Sequence, residues 1–144
     1  MFTLNIRTDG LRRRRVRVAQ YLKQQAYSDV ADKVIEGIQQ QTAQGLSYTG
    51  EAFKPYTAEY ARLRRKAGLQ TARRDLRRSG ALMLFLQLKG HRVVPDRTTK
   101  PRAKGQNYGV PSKNVPASPF MGTTPKSRAQ ARRALRMGFV NAMR

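Results

Sequence analysis

From Leu11 to Gln44 the chain sets apolar residues at helical spacing with hardly a break. Val16, Ala19, Ala26, Val30, Val34 and Ile38 recur at three- and four-residue steps with one longer gap. Arg14, Arg17, Asp29, Asp32 and Glu36 fall on the opposite side. This is the pattern of an amphipathic helix. At 1.5 Å per residue it would be roughly 50 Å long, longer than a compact domain of this size is wide. The helix is therefore either kinked or projects at one end, and the Arg12–Arg15 run lies at the end more apt to project. Gly45 supplies its stop. The rest of the fold must be built around this rod.

On its N-terminal side, Phe2, Leu4 and Ile6 alternate with Thr3, Asn5 and Arg7, which predicts a half-buried strand. Thr8–Asp9–Gly10 breaks it. On the other side, Gly50 to Leu84 is the most patterned stretch. Phe53, Pro55 and Tyr56 form an apolar anchor, and Thr57 is placed to cap a helix running to Ala67. Tyr56, Tyr60 and Leu63 are spaced to share its face, and Gly68 can end it. Arg73, Arg74, Arg77 and Arg78 then surround the single Asp75. Ser79–Gly80 opens an apolar run whose first turns favour helix. His91–Arg92–Val93–Val94 reads as a strand stopped by Pro95, with His91 an exposed residue of it.

Residues 95–125 hold all but one of the seven prolines. They read as an extended arm with little regular structure, apart from one short strand around Tyr108 and Val110. Its apolar group Val115, Pro116, Pro119, Phe120 and Met121 marks the arm for contacts with a neighbouring subunit. Thr124–Pro125 then starts a last helix, an N-cap followed by proline at the first position. Ala131, Leu135, Gly138, Phe139 and Ala142 form its apolar stripe. The class expected is α+β in one domain, residues 1–144: a small antiparallel sheet packed with a long N-terminal helix and a C-terminal helix.

Charge bounds the function. Thirty Lys and Arg face eight Asp and Glu, a formal +22, and no acid follows Asp96. Such a chain repels its own copies and is suited to a polyanion or an acidic protein surface. Arg12, Arg13, Arg14, Arg15 and Arg17 sit near a helix N-terminus, where the macrodipole disfavours cations. With Arg73, Arg74, Arg77 and Arg78 they are the candidate contacts to DNA or to an acidic partner. The runs are nearly all Arg, with no Asn or Gln set among them to read base edges, so any DNA contact is expected to be to phosphates.

Catalytic chemistry finds little support. There is no Cys, and His91 is the only histidine, which leaves no thiolate or multi-histidine metal site. No cofactor is implied. Asp29, Asp32 and Glu36 share a face that is open to a hard cation, but ion pairing with nearby arginines is the expectation. No apolar run approaches membrane-spanning length.

Two strings carry a resemblance. Gly50, Phe53–Pro55–Tyr56–Thr57, Tyr60, Leu76 and Ser79–Gly80–Ala81–Leu82 form the first; Val115–Pro116–Ala117–Ser118–Pro119–Phe120–Met121–Gly122 forms the second. In this order, over residues 45–125, they resemble the tail-completion, or virion-morphogenesis, family of tailed bacteriophages. Ser118 stands where that family favours arginine. The resemblance implies a structural neck protein, not an enzyme, that joins tail to head in a ring of identical copies. Its neighbours would be other tail and neck proteins, such as a tail terminator and a head–tail adaptor, with double-stranded DNA in the lumen. Its place would be the virion, after assembly in the host cytoplasm. The competing expectation from charge alone is a sequence-independent nucleic-acid-binding protein of ribosomal or nucleoid type.

Overall fold

The computed structural model describes residues 9–77, 79–113 and 115–144. The expected strand at Phe2–Arg7, and Arg78, lie outside the described residues. The class is α+β, as expected. Helices α1 (Asp9–Gln24), α2 (Ala26–Ala43) and α3 (Ala58–Lys66) are followed by a single turn, α4 (Ala81–Leu84). Strands β1 (Leu86–Lys89) and β2 (Arg92–Pro95) come next, then α5 (Lys100–Tyr108) and α6 (Pro125–Met143).

The long N-terminal helix is broken at Gln25, where the backbone turns to φ −120° and ψ −31°. Two hydrogen bonds carry the chain across the joint, Gln25 N–H to Tyr21 O at 2.9 Å and Asp29 N–H to Gln25 O at 3.0 Å. The kink changes which residues of α1 face inward. Val16 and Ala19 are exposed, while Val18 and Tyr21 are half-buried, and Tyr21 donates its hydroxyl to the Asp29 carboxylate at 3.0 Å. That bond and burial raise the Tyr21 hydroxyl pKa, burial being the larger cause. No residue of α1 is fully buried. It lies against α2 and α6.

Helix α2 is the axis of the core. It ends where Gly45 takes φ +75°, so that the Gly45 and Leu46 amides reach back to Thr42 O and Gln41 O, closing the last turn. Its Ile38 packs with Phe53, Leu82, Met83, Leu86, Ala103 and Phe120. The hairpin β1–β2 pairs Leu86 with Pro95 and Lys89 with Arg92. Gly90, at φ +61°, makes the turn, and His91 sits there rather than in the strand, its ring 4.5 Å from that of Tyr27 on α2.

Helix α6 starts as its sequence dictates: Thr124 Oγ1 accepts from Ser127 N–H at 3.1 Å. It crosses α2 closely, because Gly37 of α2 faces Ser127. A Cβ added at Gly37 would overlap the Ser127 side chain. Gly37→Val is expected to cost about 1–3 kcal/mol through overpacking, seen as a lower urea midpoint of the isolated chain.

The largest departure from expectation is residues 95–125, which are not an extended arm. Asp96 accepts from the Thr99 amide at 2.8 Å and starts the turn that leads into α5. Hydrogen bonds from the Thr99 and Thr98 hydroxyls hold the Asp96 carboxyl at about 2. Pro101 falls in the first turn of α5, where a missing N–H is harmless. The segment then returns through a single bridge between Val110 and Val115 and enters the core. Phe120 is 0% exposed. Gln41 donates to its carbonyl at 2.9 Å, and Asn107 Oδ1 accepts from the Phe120 and Met121 amides, each at 3.1 Å. The Tyr48 amide donates to Pro119 O at 3.1 Å. Phe120 thus has no surface to offer a neighbouring copy. Val115, Pro116, Pro119 and Met121 are half-buried, and Met121 packs against the same core.

Candidate functional site

The two strings singled out in the sequence, far apart along the chain, close around one cavity of about 520 Å³. Pro55, Tyr56, Thr57, Tyr60, Leu76, Ser79, Gly80 and Leu82 come from the first string, and Val115 and Pro116 from the second. Arg64, Arg74, Arg102, Gln106 and Lys113 supply its polar wall, with Glu59 as its one carboxylate.

Helix α3 provides one side. Thr57 caps it, accepting from Tyr60 N–H at 3.4 Å. The inward face is Tyr56, Tyr60 and Arg64, an i, i+4, i+8 row. Leu63, expected on that face, is 56% exposed, whereas Arg64 is 3% exposed. An arginine can take an inward position when each of its nitrogens finds a partner. Arg64 Nε donates to Gln70 O at 2.9 Å, Nη1 to Arg77 O at 3.2 Å and Nη2 to Asp75 Oδ1 at 3.2 Å. Its guanidinium lies 4.5 Å from the centre of the Tyr56 ring, within the range of a cation–π contact. Tyr60 meets Tyr56 edge-on at 5.3 Å.

Asp75 organises the loop between α3 and α4. Besides Arg64, it accepts from the Tyr56 hydroxyl at 3.0 Å and from the Arg77 amide at 3.0 Å. Burial by itself pushes the Asp75 carboxyl up. The polar neighbours Gln70, the Arg77 amide and Tyr56, with the Arg64 charge, outweigh burial and hold it below its ordinary value. Burial and the Asp75 charge push the Tyr56 hydroxyl up. Next to Asp75, Leu76 takes φ +55°, a left-handed conformation that a leucine rarely adopts.

The predicted basic contacts part company here. Arg12, Arg13, Arg14, Arg15 and Arg17 are exposed on α1 and form no ion pair among the described residues. Arg73 and Arg77 are exposed in the loop after α3, Arg73 lying beside Gly45 at the end of α2. Arg74 is no surface contact: it is 6% exposed, its Nη2 donating to Gln106 Oε1 at 2.8 Å. An arginine-rich segment gives each arginine the look of a solvated side chain. Asp75, the lone acid among these cations, pairs with Arg64 and not with Arg74, so it does not mark the burial of Arg74.

Among the described residues no group of His, Asp or Glu is arranged to hold a metal ion. Of the three acids on α2, Glu36 pairs with Lys33 at 2.8 Å rather than with an arginine, and Asp29 is taken by Tyr21. Among the described residues no helix is long and apolar enough to cross a membrane. Compared with protein-family models, curated proteins and solved structures, the chain has no significant match.

Proposed function

We propose that this chain is a structural joining protein of a phage neck, a tail-completion protein that works as one copy in a ring around the DNA path. The observation that carries the reading is the ordered pair of strings resembling that family, part of each lining one cavity while Phe53 and Phe120 enter the core beside it. The exposed cluster Arg12–Arg15 with Arg17 suits a lumen through which duplex DNA passes, since arginine pairs well with phosphate oxygens. A formal +22 per chain makes a ring of bare copies costly, so assembly requires neighbouring proteins or an anion. A structural part of this kind requires neither a cofactor nor a catalytic residue.

The same α1 cluster also favours the second reading, a sequence-independent nucleic-acid-binding protein. One experiment separates them: following the tagged chain through fractionation of virions, ribosomes and nucleoids. Recovery in virions supports the neck reading, and recovery with ribosomes or nucleoids overturns it. In either case α1 is expected to meet phosphates. Arg13→Glu with Arg14→Glu should weaken duplex binding equally for unrelated sequences. It should also flatten the salt dependence, by about 0.9 in log–log slope for each phosphate that is no longer neutralised. An unchanged slope in a variant that fails to assemble would assign α1 to an acidic protein instead.

A further inference from the structure

The cavity wall holds an arginine with no counter-charge. Arg74 is 6% exposed, and its Nε is buried without a partner. Nη2 is committed to Gln106, while Nη1 has no hydrogen bond among the described residues. All eight acids of the chain lie among the described residues. Asp75 serves Arg64, and Glu59, at the cavity lip, forms no ion pair with Arg74. Burial pulls the Arg74 guanidinium below its ordinary value, yet an arginine keeps its proton. A buried charge left unpaired is a standing cost to the fold. The backbone beside it adds a second cost, because Leu76 lines the same cavity with φ +55°. Such outliers gather at ligand sites.

We propose that this cavity receives a carboxylate of a partner protein, an Asp or Glu carried between aliphatic residues of an acidic segment, with Arg74 as its counter-charge. Phosphates of a duplex fit poorly, since a stiff double helix cannot enter a cavity of about 520 Å³. Leu82, Val115 and Pro116 line the same cavity as Arg74, and they match aliphatic neighbours of the acid rather than a sugar–phosphate chain. Arg102 and Lys113 at the rim, both exposed, would draw the segment in. The inference is independent of the neck reading, because an acidic partner is recognised in the same way in any assembly.

The test is an NMR titration of the full chain at physiological salt with N-acetyl-Leu-Glu-Leu-amide and with its Gln counterpart. The Glu peptide is expected to shift resonances around the cavity and to bind at least tenfold more tightly than the Gln peptide. Arg74→Met should lose that preference and, freed of an unpaired charge, unfold at a higher temperature than the wild type. Arg133→Met, exposed on α6, should keep the preference. Arg102→Ala, which leaves the buried residues intact, should weaken the Glu peptide about threefold. Equal binding of the two peptides overturns the proposal, as does a preference that survives Arg74→Met. An Arg74→Met chain less stable than the wild type would mean that the guanidinium serves the fold, and would overturn it too. Inorganic phosphate or a duplex competing through Arg74 as well as the Glu peptide would reassign the cavity to phosphate.

Discussion

Asp75→Ala is expected to destabilise the isolated chain by about 3–5 kcal/mol, the cost of stranding one partner of a buried ion pair. The burden falls on Arg64, which is 3% exposed and would keep its charge with no counter-ion, answered by the carbonyls of Gln70 and Arg77 and the Tyr56 ring. Tyr56 and the Arg77 amide lose their acceptor in the same step. Urea unfolding measures the loss. Arg64→Met combined with Asp75→Asn should recover part of it, since that pair leaves no stranded charge at either position and Asn still accepts from Tyr56. The pH dependence has a definite sign. The Asp75 carboxyl is held below its ordinary value in the fold, so its contribution is complete above the ordinary carboxylate pKa of about 3.9. It is lost as the pH falls through the lowered folded value. The gap between wild type and Asp75→Ala should therefore narrow in acid.

Phe120→Ala should cost a similar amount, about 3–5 kcal/mol, as a core Phe deletion. The loss should appear in the isolated chain and be the same at every protein concentration. If Phe120 served an interface between copies, stability would change little and assembly would fail. The structure argues for the first outcome. The ring is completely buried by residues of its own chain, and the path of the backbone around it is fixed by Gln41, Tyr48 and Asn107.

These two sites also show what can be read from the residues and what cannot. Local signals are legible. Thr57 and Thr124 cap α3 and α6 as their side chains require, and Gly45 closes α2. The second strand of the hairpin is visible in Arg92–Val94 and Pro95. The break at Gln25 is hidden, because neither Gly nor Pro marks it and an amphipathic pattern tolerates a change of phase. Helix α5 is masked by Pro101 and Gly105, residues that lower helix propensity. Its start lies in Asp96, whose carboxylate serves the Thr99 amide. The burial of Arg64 and Arg74 rests on partners in other segments, Asp75 and Gln106, and spacing alone carries no such information. The place of Phe120 is obscured for the same reason. Proline density describes the path into the core and says nothing of its destination.

The clamp on Phe120 also sets an order of events during synthesis. Gln41 and Phe120 are 79 residues apart, and the contact between α2 and α6 joins segments still farther separated. Contacts of such long range carry a large closure entropy and slow folding. While the ribosome is making residues 44 to 119, α2 has no ring to close over Ile38 and presents an open apolar face. The nascent chain can form its helices and its hairpin early, but it can seal its core only after the Pro119–Phe120–Met121 string has emerged from the exit tunnel. Until then Ile38, Leu82 and Leu86 are the residues that a holding chaperone would meet.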